Sequence, residues 1–287
     1  MLIIINNKDN KYMFTKKVLL ITVMSLSITF CACEEEKMSA NMNTKTSIES
    51  IKTAQWENLA QKKIFFGHQS VGNNIISGIK DLMKTNNTIN LHIVETENPG
   101  DFSSGIFAHH GVGQNVDSES KIKDFVRMID QGIGGKADIA FFKFCYIDFT
   151  AETNIQGIFN DYKNAMTSLK NKYPDTQFIH CTVPLVTKVK ISPISILKTM
   201  LGRDGNRHNV ARNEFNELMR KEYGGKELIF DLAVIESTYP DGSKETFEKD
   251  GKTYYSLIPQ YSDDGGHLNE LGRRRAAEYL LMFLVNL

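Results

Sequence analysis

Short apolar runs alternate with amphipathic segments along most of the chain, starting near Ile51. Five apolar runs have the length and composition of β-strands: 63–66, 89–95, 139–145, 177–183 and 227–232. Five segments repeat their apolar residues with helical spacing: 71–83, 120–131, 155–173, 209–223 and 269–285. Strands and helices that alternate in this way form parallel sheets covered by helices. The pattern predicts an α/β fold, a three-layer sandwich with a central five-stranded parallel sheet flanked by helices.

Two polar segments interrupt the alternation. Residues 185–208 follow a predicted strand and have no clear period, and ligands of open α/β sheets bind at that carboxyl edge. Residues 239–259 predict a small hairpin around Asp241 and Gly242.

The N-terminal region has a different pattern, which is typical of an export signal. A basic stretch at 12–17 precedes an apolar run at 18–32, and three glutamates follow Cys33. The apolar run is short for a membrane span, and the small Ala32 favours cleavage before Cys33. The predicted organisation is a signal peptide at 1–33, a flexible tether at 34–50 and one domain at 51–287.

This segment resembles the signal peptide of a Bacteroidetes-type lipoprotein, in which an acidic run follows the lipidated cysteine. A short charged linker would have the same composition, Cys31 is a competing lipid site, and either Met1 or Met13 could be the start. The resemblance implies an exported lipoprotein of the cell envelope, at the outer membrane or cell surface, that contacts the membrane only through its lipid anchor.

Composition narrows the classes of partner. The chain has 34 Lys plus Arg residues and 34 Asp plus Glu residues. It therefore lacks the excess of positive charge that would indicate a nucleic-acid partner. Cys145 and Cys181 lie in separate apolar runs and are predicted to be buried free thiols.

Ser70 is the candidate nucleophile. It follows the first apolar strand in the sequence Gly67-His68-Gln69-Ser70 and stands where the first predicted helix of the alternating region begins. A serine on a sharp strand-to-helix turn can project over the sheet edge and attack a carbonyl carbon. The alternative is that Ser70 only caps the helix.

Asp264 and His267 form the second candidate element, a D-x-x-H sequence just before the last helix. Asp264 could accept a hydrogen bond from one ring nitrogen of His267, leaving the other nitrogen to act as a base. A solvated, glycine-containing turn is the alternative.

Together these two ends resemble the SGNH, or GDSL-type, hydrolase superfamily over about residues 63–287. The best match is the run from Asp264 to Asn269, which Gly272 and Ala276 follow. The resemblance implies a flavodoxin-like SGNH fold with Ser70 as nucleophile, His267 as base and Asp264 as the group that orients it. The usual G-D-S aspartate is replaced, so Ser70 corresponds by position.

The resemblance also implies an oxyanion hole, and here the sequence departs from the family. The second family block donates a glycine N–H, which corresponds best to Gly113, with Gly111 next. The asparagine of the third block is missing from residues 143–148, and three residues are candidates to replace it: Asn115, Lys143 and Tyr146. Lys143 interrupts an apolar strand, which predicts either a functional role or a pairing with Asp148.

A zinc site is a further alternative, because His68, His109 and His110 fall in predicted loops at one sheet edge. The chain has no H-E-x-x-H, H-x-H or C-x-x-C motif. We therefore predict neither a metal nor another cofactor.

These features predict a serine esterase that hydrolyses small-molecule or glycan esters, including O-acetyl carbohydrate or lipid esters, through an acyl-enzyme. Two alternatives stay open: a surface glycan-binding lipoprotein whose catalysis is impaired, and an acyltransferase on the same fold.

Overall fold

The computed structural model describes residues 47–190, 192, 193, 197 and 205–287. Residues 48–287 form one compact unit. The predicted signal peptide at 1–33 lies outside the described residues, as does the tether at 34–50 except for its last four residues.

In the described part of the chain, a parallel six-stranded sheet forms the centre of the domain. The strand order is β2-β3-β1-β4-β5-β6. The strands are β1 (Lys63–His68), β2 (Ile93–Glu95), β3 (Ile106–Gly111), β4 (Ile139–Phe142), β5 (Gln177–Cys181) and β6 (Ile229–Phe230). The predicted α/β class is confirmed, but the predicted count of five strands was wrong by one.

Helices flank the sheet. They are α1 (Thr53–Gln61), α2 (Val71–Thr85), α3 (Ser118–Met128), α4 (Ile155–Lys172), α5 (Asn206–Tyr223), α6 (Leu232–Ser237) and α7 (Glu270–Leu284). All five predicted helices are present, while α1 and α6 were not predicted. Among these described elements, no helix is long and apolar enough to cross a membrane.

The strand that the sequence pattern missed is β3. Its second half is His109-His110-Gly111, a polar sequence that predicts a loop. His109 is nevertheless buried, and its Nδ1 has a partner there, Nε2 of His68 on the neighbouring strand β1, at 3.1 Å. The three histidines of the zinc alternative therefore lie in strands rather than in loops.

Alternate residues of β1 pack against opposite helical layers. Phe65 stacks on Phe125 of α3, with ring centroids 6.3 Å apart. Phe66 stacks on Phe141 of β4, and His68, which shares its face, lies under the first turn of α2. A Cβ on Gly72 would lie 2.3 Å from the His68 side chain, so this close packing requires glycine.

Helices α2 and α7, which carry the two ends of the predicted site, pack directly on each other. A Cβ on Gly78 of α2 would lie 2.3 Å from the carbonyl oxygen of Arg273 on α7. The Arg273 guanidinium also donates to Asp81 of α2 over 2.7 Å. This close approach fixes the start of α7 relative to the turn before α2.

The predicted hairpin is present, but its turn lies nine residues further along the chain than Asp241-Gly242. Strands β7 (Thr246–Lys249) and β8 (Lys252–Tyr255) are antiparallel and turn at Asp250-Gly251, where both residues have positive φ. Asp241-Gly242 forms a separate tight turn, closed by a hydrogen bond between Tyr239 and Ser243. Both D-G pairs form turns, but only the second has strand-forming segments on both sides.

Candidate active site

Ser70 lies at the carboxyl edge of the sheet, between β1 and α2, in a strained conformation. Its φ of 40° and ψ of −97° place it outside the regions that L-residues usually adopt. Such a residue costs on the order of 1–3 kcal/mol and is typical of functional turns. Its side chain makes no capping hydrogen bond, so the helix-cap alternative does not describe this serine.

The backbone N–H of Ser70 has no acceptor among the residues that the structure describes. It stands at the N-terminus of α2, where free N–H groups and the helix dipole favour negative charge. This N–H is therefore available to a developing oxyanion.

Gln69, next to the candidate nucleophile, ties this turn to the segment after β3. Its Nε2 donates to the carbonyl oxygens of Gly113 over 2.9 Å and of Val112 over 3.3 Å. The Val112 N–H in turn donates to the His68 carbonyl oxygen over 3.0 Å. The Gln69 side chain therefore has structural partners in the segment after β3.

Asp264 and His267 form a hydrogen bond of 2.6 Å between Oδ2 and Nδ1. A carboxylate only accepts, so Nδ1 carries the proton and Nε2 is left as the acceptor. Oδ1 of Asp264 accepts from the N–H groups of Gly266 (2.9 Å) and His267 (2.8 Å). These bonds, the one from His267 first, lower the pKa of Asp264 and keep it ionised.

The two halves of the site are joined, but no hydrogen bond between the serine and the histidine is present among the described residues. Asn74, one turn after Ser70 on α2, accepts a hydrogen bond on Oδ1 from the N–H of Leu268, which follows His267. Ser70 Oγ makes no hydrogen bond with either ring nitrogen of His267. In unliganded enzymes such a bond often forms only when substrate binds.

Tyr146 lies against the candidate base. Its hydroxyl is 3.4 Å from Nε2 and 3.5 Å from Nδ1 of His267, and the two rings meet edge to face. Burial, followed by the charge of Asp264, raises the pKa of Tyr146, so its hydroxyl stays protonated.

The other predicted oxyanion residues have no described contact with Ser70, Asp264 or His267. The Gly113 N–H donates to Asp124 over 2.8 Å, and Asn115 is exposed and accepts from Lys121. Lys143 is fully buried and donates to the carbonyl oxygen of Phe144 over 3.1 Å. Gly111, the second glycine of that block, ends β3 in register with His68.

Lys143 does not pair with Asp148, so this one of the two roles predicted for it is wrong. Both carboxylate oxygens of Asp148 lie 2.7 Å from Nζ of Lys121, in a pair with no side-chain exposure. Asp148 also accepts from the N–H groups of Cys145 and Val116. It therefore fixes the turn that carries Tyr146.

Two buried ionisable residues behind this turn were not predicted. Arg212 donates from Nε to the Tyr146 carbonyl oxygen over 2.7 Å; burial lowers its pKa to about 10, which leaves it charged. Burial raises the pKa of Glu236 to about 8, and its Oε2 accepts from the Leu185 N–H over 2.7 Å. Although it lies on helix α5 and carries a charge, Arg212 is only 5% exposed.

The zinc alternative finds no support in the geometry. His68 and His109 bond to each other, while His110 pairs with the Gly111 carbonyl oxygen. Across the described ranges, no group of three or more His, Cys, Asp or Glu side chains could hold a metal ion. Cys145 and Cys181 are buried free thiols, as predicted.

A cleft of about 1060 Å³ opens beside Asp264. It runs between the segment after β5 and the β7–β8 hairpin, and most of its lining residues have polar or charged side chains. The lining includes Thr187, Lys188, Asn206, Thr246, Glu248 and Asp263.

No protein-family model matches this sequence, and no curated protein matches it. The fold is similar to several solved structures. A structure from Streptococcus pneumonia described as a platelet activating factor is 15% identical, covering 92% of this chain and 99% of its own, with a TM-score of 0.46.

An acetyl xylan esterase is 16% identical over 76% of this chain and 97% of its own, with a TM-score of 0.43. A member of the lipolytic protein G-D-S-L family from Veillonella parvula is 12% identical over 76% of this chain and 95% of its own, with a TM-score of 0.41. Because the identities are low and the TM-scores fall below one half, the activity of this chain has to be inferred from its own residues.

Proposed function

We propose that this protein is a serine hydrolase of the SGNH type that cleaves esters through an acyl-enzyme. The observation that carries the proposal is the 2.6 Å bond between Asp264 and His267, which leaves Nε2 of an exposed imidazole as a proton acceptor. The strained, uncapped Ser70 and its free N–H support the role of nucleophile.

In the proposed reaction, Ser70 Oγ attacks the ester carbonyl carbon while Nε2 of His267 takes the hydroxyl proton. The carbonyl electron pair moves to oxygen, and the Ser70 N–H donates to that oxyanion. Collapse breaks the bond to the leaving alcohol, which receives the proton from His267. Asp264 holds the Nδ1 tautomer and stabilises the imidazolium throughout.

Water completes the cycle in the same way. His267 accepts a proton from water, the resulting hydroxide attacks the acyl carbon, and Ser70 leaves with the proton that His267 returns. The acid component of the substrate is then released, and the free serine is restored.

The hydrogen-bonding side chains that line the cleft beside Asp264 support a small-molecule or glycan ester, such as an O-acetylated carbohydrate, over a long-chain lipid ester. Sugar hydroxyls can pair with threonine, asparagine and charged side chains of the cleft. A long acyl chain would need an extended apolar surface to leave water.

The test is hydrolysis of p-nitrophenyl acetate by the wild type, Ser70→Ala and His267→Ala. We expect both variants to lose nearly all activity, since triad residues act as a unit. Ser77→Ala, which changes an exposed serine two turns along the same helix, should keep it. Equal turnover by wild type and Ser70→Ala would refute the proposal.

A second candidate function is glycan binding without catalysis. The observation that favours it is the absence of a Ser70–His267 hydrogen bond among the described contacts, together with the missing third-block asparagine. Glycan binding that survives Ser70→Ala, with no turnover by the wild type, would favour this reading. Transfer of the acetyl group to an added sugar in preference to water would instead indicate an acyltransferase.

We also propose that the protein is exported and anchored in the cell envelope by a lipid on Cys33. The support is the order of basic, apolar and small residues before this cysteine and the three glutamates after it. Replacing Cys33 with Ser should release the protein from the membrane fraction. Cys31→Ser is the matched control. Release by that variant alone would assign the lipid to Cys31 instead of Cys33.

A further inference from the structure

We infer that Tyr146 is a catalytic residue: its hydroxyl donates a hydrogen bond to the oxyanion, in place of the missing asparagine side chain. The inference rests on the proposed function and assigns a role within the same site. Four observations carry it: the engagement of the other candidates, the position of the hydroxyl, the support of its turn and the contact with Gly266.

Neither of the other two side chains that could replace the asparagine has a described contact with a member of the proposed triad. Lys143 has no exposure and its Nζ contacts Phe144 O and Cys145 Sγ, so it does not reach the cleft. Asn115 is exposed, and its oxygen accepts from the buried Lys121. Tyr146 is the one of the three named candidates that contacts a member of the proposed triad.

The hydroxyl lies beside the proposed base. It is 3.4 Å from Nε2 of His267, the nitrogen that must take the serine proton. The substrate carbonyl reacts beside that nitrogen, because Ser70 has to contact both of them at once. In the free protein the hydroxyl makes only these two long contacts with the imidazole. It can therefore donate a hydrogen bond to a substrate oxygen.

The backbone of Tyr146 is held from below by buried charges. Arg212 donates to its carbonyl oxygen over 2.7 Å. Asp148, paired with Lys121, accepts from the N–H of Cys145 on the other side of the residue. Side chains that act in catalysis require such support, because a donor that moves loses its value in the transition state.

The ring is held from above by the D-G-G-H turn. A Cβ on Gly266 would lie 2.8 Å from Cζ and 3.0 Å from the hydroxyl oxygen of Tyr146. Only glycine at this position lets the phenol lie against the turn that carries His267. Gly266, the second glycine of the D-G-G-H turn, is therefore required by its contact with Tyr146.

The proposed step keeps the phenol neutral. Tyr146 donates a hydrogen bond to the oxygen that gains the carbonyl electron pair, and it retains its proton while His267 takes the proton of Ser70. When the tetrahedral intermediate collapses, the oxygen recovers its double bond and the hydrogen bond weakens. The phenol thus favours the transition state over the ground state.

The experiment compares wild type, Tyr146→Phe and Ser70→Ala on p-nitrophenyl acetate, with kcat and KM measured across pH. Phenylboronic acid, which forms a tetrahedral adduct with an active serine, supplies a binding readout without turnover. Tyr173→Phe is the matched control, because its hydroxyl bonds Asp130, which is not a site residue. Tyr146→Phe preserves the ring that packs against Gly266 and His267.

We expect Tyr146→Phe to lower kcat by about 10²- to 10³-fold and to weaken the boronate adduct, with little change in KM. A kcat within about two-fold of wild type would overturn the inference and leave the serine hydrolase standing. A shifted pH midpoint with an unchanged plateau of kcat would also overturn it, since the phenol would then only tune His267. Absence of Ser70-dependent turnover in the wild type would instead overturn the proposed function, and this inference with it.

Discussion

The carboxamide oxygen of Asn74 accepts a hydrogen bond of 3.1 Å from the backbone N–H of Leu268. Asn74 lies one turn after Ser70, and its own N–H donates to the Ser70 carbonyl oxygen over 3.3 Å. Leu268 directly follows His267. A single side chain therefore connects the proposed nucleophile turn with the turn that carries the proposed base.

Removing this connection should impair catalysis more than stability. We expect Asn74→Ala to lower kcat on p-nitrophenyl acetate by about 10-fold or more, because small misplacements of catalytic groups have large effects on rate. The loss in unfolding free energy should be about 1 kcal/mol. Asn73→Ala, at the exposed neighbouring position, is the control. Equal kcat values for the two variants would show that the bond does not position the site.

Asp264→Asn tests the orienting role of the carboxylate. The amide preserves the shape of the side chain but no longer provides a charged acceptor for Nδ1, which favours the wrong tautomer of His267. We expect kcat to fall by about 10³- to 10⁴-fold. Asp263→Asn, at the adjacent exposed position that pairs with Asn269, should retain activity on p-nitrophenyl acetate, which has no sugar hydroxyl for the cleft to bind. Similar losses in both variants would indicate a general disturbance of the loop.

The pair Lys121–Asp148 should matter for stability, because removal of one partner leaves the other charge buried. We expect Lys121→Ala to lower the free energy of unfolding by about 3–5 kcal/mol. Lys123→Ala breaks the exposed pair with Glu119 on the same helix and should cost about 0.5 kcal/mol or less. Urea unfolding of the two variants measures the difference, and similar midpoints would contradict this account.

Stability should fall as the pH is lowered from about 6.5 to 4. Burial lowers the pKa of His68 to about 2 and that of His180 to about 4. In this window the unfolded chain takes up protons that the folded histidines refuse, and each group contributes about 1.4 kcal/mol per pH unit. Glu236 has a raised pKa and keeps its proton in the folded state, so its contribution to the pH dependence has the opposite sign and offsets that of one histidine.

The variant His68→Phe isolates one of these contributions. Between pH 6.5 and 4 it should reduce the number of protons taken up on unfolding by about one, and the slope of unfolding free energy against pH should fall accordingly. The exposed His92→Phe is the control and should keep the slope of the wild type. An unchanged slope for His68→Phe would mean that this ring is protonated in the folded protein.

Local pattern was sufficient for much of the fold and for one contact of the candidate site. Periodicity identified the α/β class, and the short D-x-x-H sequence identified the pair Asp264–His267, which bond to each other within one turn. Strand β3 was missed because His109 is buried through a contact with His68 that is 41 residues distant. No local pattern contains that contact.

The supporting residues were missed for the same reason. Arg212 binds the carbonyl oxygen of a residue 66 positions away, and Asn74 binds the backbone 194 positions away. In the sequence Arg212 has the character of an exposed helix residue, and Asn74 that of an ordinary polar residue within a helix. Their roles depend on the sheet order, which brings the ends of distant strands together.

The central claim is that Ser70 is an activated nucleophile, and covalent labelling tests it most directly. The purified protein is treated with a fluorophosphonate probe, and the labelled peptide is identified by mass spectrometry, beside Ser70→Ala, His267→Ala and Ser77→Ala. The account predicts one adduct on Ser70 in the wild type and in Ser77→Ala, and none in the other two variants. Labelling that is absent from the wild type, or that persists in Ser70→Ala, would contradict it.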